Sequence, residues 1–230
     1  MRIARPMCGR FAQQRTSSDL AEIFDAEDLA DDPGGRFNVA PTDDAVVVVQ
    51  RDDRRAITRY RWGLIPHWAT DRRIGSRQIN ARGERLASSP TFRAAFRRRR
   101  CIVPVDSFYE WRRTGATRQP YRIARTDGRP LALAGLWAGW HDPDSDQVVR
   151  TFTIVTTTPN ELVAEIHDRM PVVLPDDAWR RWIDPDNPDV AELHGLLVPA
   201  REGFLLTHPV STLVNNVRNN GPELIDPIEA

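Results

Sequence analysis

The 230-residue sequence contains no lysine and only two cysteines, Cys8 and Cys101. Two cysteines so far apart exclude a disulfide framework and a cysteine-based zinc site, and they fit a reducing compartment. The missing lysine is explained by the arginine preference of a GC-rich genome and excludes no function. Since all 32 basic residues are arginine, what matters is where they lie.

Long apolar runs, internal repeats and low-complexity tracts are also missing. No run reaches membrane-spanning length, and the first residues lack the apolar block of a signal peptide. Hydrophobic residues make up 40% of the chain and charged residues 28%, as is typical of a soluble globular protein. We therefore expect a monomeric cytoplasmic protein that binds no membrane and needs no cofactor or metal.

Charge is balanced overall but unevenly distributed. Residues 51–130 hold 21 arginines and seven acidic residues, whereas residues 131–230 carry a net charge of −10. Arginine preference does not explain this segregation. A basic middle favours an anionic partner for one face, such as nucleic acid, although paired surface charges are the alternative.

The pattern of elements predicts an α+β fold: a single domain with a curved, barrel-like mixed β-sheet flanked by helices. Helices are expected over Ser17–Ala30, over Thr158–His167 with Thr158 as N-cap, and over residues 175–183 and 189–197. The strand-like runs are Ala45–Gln50, Ile57–Trp62, Cys101–Val105, Phe108–Arg112, Tyr121–Ala124, Leu131–Trp140 and Thr151–Thr157.

Cys8 directly follows Met7, an arrangement that can free its nitrogen. Removal of a preceding methionine leaves an α-amine and a thiol on adjacent carbons, with reference pKa values of about 7.7–8.0 and 8.5. Such a pair condenses with an aldehyde: the amine forms a Schiff base and the thiol closes a five-membered thiazolidine ring. A buried structural cysteine is the equally weighted alternative.

Three further positions are candidates for chemistry. Strand alternation places Phe108 and Glu110 on one face, where an apolar setting would raise the carboxyl pKa; a surface ion pair is the simpler alternative. His167 could carry protons beside Asp168, or merely cap a helix. Asn80 and Arg82 would share a face if extended, which suits a phosphate or sugar.

Other conspicuous residues favour structural interpretations. Trp62 is expected in the core, whereas Trp68 could stack an unpaired base. Residues 96–101, with four consecutive arginines, predict a solvated charged face, and Cys101 is expected in the core. The histidines have no metal-ligand spacing.

Taken together, these motifs closely resemble the SRAP family, the SOS response-associated peptidases or abasic-site processing proteins. The resemblance spans Met7 to about Ile228. The segments that carry it, in order, are "MCGRF", "FNVAPT", "RWGLIPHWA", "INARGE", "FRRRRCIVPVDSFYEW", "TTTPNELVAEIHDRMPVVL" and "VSTLVNNVRNNGPELI".

The resemblance implies binding to single-stranded DNA at abasic sites, including single-strand/double-strand junctions, and a thiazolidine crosslink to the ring-opened sugar. It also implies possible abasic-site lyase, crosslink-reversal and self-processing activities in the DNA damage response. It gives roles to four matching residues. Cys8 supplies both nucleophiles, Glu110 moves protons, His167 stabilises the opened sugar, and Asn80 positions Cys8 and the lesion.

DNA contacts follow from the same resemblance. Two arginines would hold flanking phosphates, an asparagine and a proline would shape the pocket, a tryptophan would stack on a neighbouring base, and a threonine would reach a phosphate. The residues assigned to DNA binding are Arg10, Arg82, Asn38, Pro41, Trp68 and Thr156. When bound, the protein would be associated with the nucleoid.

One departure is the extension of residues 1–7 before the expected domain, residues 8–228. We expect this extension to be absent or removed, because translation starts at Met7, because the chain cleaves itself or because a cellular protease removes it. Two other functions remain open: a cysteine peptidase that uses Cys8 and His167, and a single-stranded nucleic-acid-binding module without chemistry.

Overall fold

The computed structural model describes residues 8–229, so the predicted extension, residues 1–7, lies outside the described residues. The strands are β1 (Phe11–Gln13), β2 (Glu27–Asp28), β3 (Arg36–Val39), β4 (Asp44–Arg51), β5 (Arg54–Trp62), β6 (Asn80–Arg82), β7 (Arg100–Val105), β8 (Ser107–Thr114), β9 (Thr117–Arg125), β10 (Leu131–His141), β11 (Val148–Thr157), β12 (Met170–Pro171) and β13 (Leu205–Pro209). The α-helices are α1 (Ser17–Phe24), α2 (Arg93–Arg98), α3 (Glu161–Ala164), α4 (Trp179–Ile183) and α5 (Val190–Gly195).

Five strands close into a barrel. Strands β11, β10, β7, β4 and β5 are antiparallel neighbours, and β5 then pairs with β11 in parallel, with Phe152 opposite Trp62. β6 adds to β11 in parallel and brings Asn80 opposite Ile154. The predicted α+β fold with a barrel-like mixed sheet is confirmed.

A second, antiparallel sheet has the strand order β13-β9-β8-β1-β3. Its strand β8 lies between β9 and β1. Strand β1 begins three residues after Cys8. The central place of β8 is why Glu110 and Cys8 meet although 102 residues separate them.

The run Ala45–Val49 is apolar throughout because β4 is buried on both faces. Val47 and Val49 pack inside with Phe152, whereas Val46 and Val48 pack against the helices. Each predicted strand lies within an observed one. Among residues 8–229, no helix is long and apolar enough to cross a membrane.

Two predicted helices are shorter than their patterns indicated. α1 ends at Phe24 because Asp25 adopts a left-handed conformation (φ 49°), and the chain then joins the sheet as β2. Its N-cap is Thr16, with Asp19 completing the capping box. α3 begins at Glu161 with Asn160, rather than Thr158, as its N-cap.

The predicted solvated arginine run is wrong at Arg100, which is 1% exposed. Its guanidinium donates to the carbonyls of Phe96 and Arg97 at the end of α2, and to those of Trp182 and Asp184 at the end of α4. The carbonyl ends of two helices therefore compensate the buried charge, as the helix dipole favours.

Candidate active site

Cys8 and Glu110 form the centre of the candidate site. The backbone nitrogen of Cys8 donates to Glu110 Oε1 at 2.5 Å, and both residues are buried. Cys8 has a positive φ of 42°, which is uncommon for a residue with a side chain. The contact places the Cys8 nitrogen, whose carbon is adjacent to the carbon that carries the thiol, directly against a carboxyl group.

Glu110 is buried because β8 alternates as predicted. Phe108 packs in the apolar core with Cys8, while Tyr109 and Trp111 pack in a separate cluster on the opposite face. Burial, with a smaller effect from the charge of Asp168, raises the pKa of Glu110 to about 8 against the lowering effect of the backbone donors. The expectation of a surface ion pair is therefore wrong.

The Cys8 thiol is held in its protonated form. Burial, and then the neighbouring Glu110, raise the pKa of this thiol well above its ordinary value. A thiol that acts as a nucleophile here therefore needs a base, and the carboxyl group that contacts Cys8 is that of Glu110.

An open cavity of about 510 Å³ leads to Glu110. Beside Gly9 there is open space, since an added side-chain carbon would meet no atom within 4 Å. The cavity wall includes two predicted DNA contacts, Arg10 and Pro41. The remaining lining residues are Gly9, Ile79, Glu110, Trp111, Arg118 and Asn215.

His167 follows α3, and its imidazole is mostly buried, with a side-chain exposure of 10%. The backbone N–H of Arg169 donates to Nδ1 at 3.1 Å, which assigns the proton of the neutral ring to Nε2. Asp168 Oδ1 lies 3.2 Å from the same nitrogen, and this contact becomes an ion pair only when the ring is protonated. The segment thus fixes the orientation of the histidine.

Asn80 and Arg82 lie at the two ends of β6, so they are extended as predicted. Asn80 is half-buried and Arg82 is exposed. Directly after β6, Glu84 forms a two-pronged ion pair with Arg169, which also donates to the Thr156 carbonyl at 2.8 Å. This pair joins the segment of Asn80 to the segment of His167.

Arg10 and Asn38 hold a C-terminal segment in place. The Arg10 guanidinium donates to Asn38 Oδ1 at 3.0 Å and to the Val214 carbonyl at 2.7 Å. The Asn38 amide donates to the carbonyls of Val214, Asn216 and Asn219. Both residues therefore hold the segment that supplies Asn215 to the cavity wall, and contact with DNA stays a prediction for them.

The other predicted DNA contacts are scattered. Trp68 is 51% exposed but is not among the residues that line the cavity. Thr156 is buried, and its hydroxyl accepts from Arg169 and donates to the Ala81 carbonyl. Pro41 is half-buried at the cavity wall.

Five of the residues that line the cavity were not predicted from the sequence: Gly9, Ile79, Trp111, Arg118 and Asn215. Asn215 is fixed by the Trp111 indole, which donates to its Oδ1 at 2.7 Å. Alternation in β8 indicated only that Trp111 faces away from Glu110. No local signal joins it to a residue 104 positions later.

The described residues offer no metal site, since nowhere in 8–229 are three or more His, Cys, Asp or Glu side chains grouped to hold an ion. The candidate site thus combines the Cys8 thiol with a carboxyl group of raised pKa that opens onto the cavity, and the charge of Asp168, the neighbour of His167, acts on that carboxyl group. Such a set is suited to proton transfer around a nucleophile.

Known proteins include relatives of this chain over nearly its whole length. The model of the SOS response associated peptidase (SRAP) family matches residues 7–217. The abasic site processing protein YoqW of Bacillus subtilis is 41% identical over 225 residues, covering 96% of this chain and 99% of that protein. YedK of Escherichia coli, also named an abasic site processing protein, is 35% identical over 231 residues, covering 96% and 100%.

Solved structures share the fold. A protein from Bacteroides thetaiotaomicron aligns with a TM-score of 0.87 at 24% identity, covering 96% of this chain and all of that one. A phage-related protein from Bordetella bronchiseptica aligns with a TM-score of 0.68 at 31% identity, covering 88% and 94%. The chain belongs to the SOS response associated peptidase (SRAP) family.

Proposed function

We propose that this protein processes abasic sites by forming a thiazolidine crosslink between Cys8 and the opened sugar in single-stranded DNA or at a junction. The observation that carries the proposal is the 2.5 Å contact between the Cys8 nitrogen and the buried Glu110 carboxyl. The names of YoqW, YedK and the HMCES protein of Xenopus tropicalis, which is 30% identical, support abasic sites as the substrate.

The reaction requires that the Cys8 nitrogen is an amine, so residues 1–7 must be absent or removed. Protonated Glu110 gives its proton to the sugar ring oxygen, and the ring opens to an aldehyde as the anomeric hydroxyl returns a proton to the carboxylate. The amine attacks the aldehyde carbon, and the carbinolamine loses water to give a Schiff base. The thiol sulfur then adds to that carbon and its proton passes to the nitrogen, so the crosslink forms with net loss of one water.

The raised pKa of Glu110, about 8, suits this sequence. A carboxyl group that titrates near neutral pH can act first as an acid and then as a base, whereas an ordinary glutamate is already ionised. His167, oriented by the Arg169 backbone, would stabilise the opened sugar, and Asn80 would position the lesion. The same proton transfers would support reversal and strand cleavage.

A general cysteine peptidase is less well supported. Such an enzyme needs a thiolate, but burial raises the pKa of the Cys8 thiol and disfavours it. We therefore propose that peptidase activity is limited to removal of the extension. Binding to DNA would locate the protein in the cytoplasm, at the nucleoid. A module that binds without chemistry would bind equally well with serine at position 8.

Intact mass spectrometry tests the proposal. A chain that begins at Met7 is mixed with a single-stranded oligonucleotide carrying one abasic site. We expect the mass of a protein starting at Cys8 and a heat-stable adduct equal to protein plus DNA minus water. Cys8→Ser should abolish the adduct, and an oligonucleotide with a tetrahydrofuran in place of the aldehyde sugar should give none. A chain with free Cys8 that forms no adduct would refute crosslinking.

A further inference from the structure

A hairpin of two strands extends from the candidate site and carries an uncompensated positive charge at its tip. Strands β8 and β9 pair from Phe108 opposite Ile123 to Thr114 opposite Thr117. Arg112, Arg113 and Arg118 lie near the turn, and all three are exposed. Arg113 stands directly opposite Arg118, so two guanidinium groups share one face of the hairpin.

Nothing nearby neutralises these arginines. The sequence has no acidic residue between Glu110, which is buried, and Asp127. The elements that pack on β9, strand β13 and the 3-10 helix Thr212–Asn215, belong to residues 203–222, which also lack acidic residues and add the exposed Arg218. Among the described residues, none of the three hairpin arginines forms an ion pair.

The hairpin of β4 and β5 provides an internal comparison. It also ends in an opposed arginine pair, Arg51 and Arg54, but its turn consists of Asp52 and Asp53. Like charges directly opposite on a sheet are destabilising, and there two acidic residues directly adjoin the pair in sequence. The turn between β8 and β9 is Gly115–Ala116, which supplies none.

The unpaired arginines are also connected to the site. Arg118 lines the same cavity as Glu110. Arg113 lies three positions after Glu110 in β8, which corresponds to about 10 Å along the backbone at the rise of a strand. That distance corresponds to about three phosphates at the 3.4 Å spacing of a stacked DNA strand.

In the described part of the chain, Arg113 and Arg118 have no acidic partner, and Arg118 lines the cavity of Glu110. We therefore infer that the tip of the β8–β9 hairpin binds the phosphates of the DNA strand on one side of the lesion. The inference rests on the proposed function for the identity of the ligand. Arg113 and Arg118 provide the phosphate contacts, and the hairpin sets the direction in which the strand leaves the cavity. An acidic peptide is the other polyanion that such a tip could bind.

Salt-dependent binding tests this inference without chemistry. The protein binds a single-stranded oligonucleotide containing one tetrahydrofuran site, which has no aldehyde, over a range of salt concentrations. Each lost phosphate contact should reduce the slope of log K against log salt by about 0.7 on a single strand. We expect the Arg113→Gln/Arg118→Gln variant to lose about 1.4 in slope, and the matched Arg51→Gln/Arg54→Gln variant to keep the wild-type slope.

The outcomes separate the two proposals. Covalent coupling to the aldehyde oligonucleotide should require a higher DNA concentration in the hairpin variant, whereas the Arg51→Gln/Arg54→Gln variant should couple as the wild type does. A wild type that never couples, with a slope loss confined to the hairpin variant, would refute crosslinking and keep the hairpin inference. Equal slopes in both variants would overturn the inference. The inference would also be overturned if the hairpin variant lost binding to a polyglutamate peptide but kept the wild-type slope with DNA.

Discussion

The protein buries a cysteine and a charged side chain in two regions, and only one of them is suited to chemistry. At the candidate site, Cys8 and Glu110 lie against each other beside an open cavity. In β7, Cys101 and Arg100 are adjacent in sequence, yet the thiol faces the apolar core and the guanidinium meets four carbonyls. Burial alone therefore does not identify a functional group.

The regions differ in how the charge is treated. Arg100 stays a cation because main-chain acceptors surround it, although burial lowers its pKa to about 10. Within residues 8–229, Glu110 has two backbone donors but forms no ion pair, and burial raises its pKa to about 8. A group with its charge compensated stabilises the fold, whereas one whose pKa lies near neutral pH is available to exchange protons.

Exchanging each charged group for a neutral one tests the difference between the two regions most directly. We expect Glu110→Gln to keep the fold, because its amide oxygen can still accept from Cys8, and to slow coupling by about 10²–10⁴-fold. We expect Arg100→Met to lower the free energy of unfolding by about 3 kcal/mol, since several buried carbonyls lose their donor.

Rapid-quench coupling assays and urea unfolding measure the two effects. For the Arg100 variant, coupling is measured at a temperature where the protein remains folded, and the rate should match the wild type. Slow coupling in that folded variant would mean that the core region also acts on the site. The distinction between a region that reacts and a region that only stabilises the fold would then be wrong.

These residues also mark what the sequence could predict. Alternation in β8 correctly placed Glu110 opposite to Tyr109 and with Phe108, because a period of two is a local property. The burial of Arg100 was missed, since its acceptors come from the ends of two helices about 80 residues apart in sequence. Local patterns identify faces, but not which distant backbone groups meet a side chain.

The same limit applies to the candidate site. The resemblance selected Cys8, Asn80, Glu110 and His167 because they lie in compact motifs, and their roles stay predictions. The wall built by Arg10 and residues 214–219 depends on pairing across about 200 residues, which no single motif encodes.

The pH dependence of stability reports whether Glu110 holds a proton in the folded chain. The carboxyl of Glu110 has a folded pKa of about 8, above its ordinary value of 4.5. Between these values the folded chain binds a proton that the unfolded chain has released, so stability falls as pH rises. In a chain that retains residues 1–7, we expect the loss from this group to reach at most about 1.4 kcal/mol per pH unit.

Urea unfolding of the wild type and of Glu110→Gln at several pH values isolates this contribution. The difference between the two free energies should change across the window from pH 4.5 to 8 and level off outside it. A difference that is constant with pH would mean that Glu110 is ionised in the folded chain, as a paired surface glutamate would be.

The smallest expected effect concerns the core thiol. Cys101 stands opposite Gly135, and a side-chain carbon added at Gly135 would lie 2.8 Å from the Cys101 sulfur and 3.0 Å from Val103 Cγ2. The thiol thus occupies space that the glycine leaves open. Gly135→Ala should be destabilising in the wild type and less so in Cys101→Ala, because removal of the sulfur relieves the closer contact.

Four proteins, the wild type, each single variant and the double variant, give a coupling free energy by urea unfolding. We expect it to favour the double variant by about 0.5–1 kcal/mol, within the range found for residues in contact. Strictly additive effects would mean that Val103 and the Thr153 carbonyl, 3.2 Å from the added carbon, set the penalty. DNA coupling by Cys101→Ala should equal that of the wild type, because a thiol that fills a gap in the core has no aldehyde to meet.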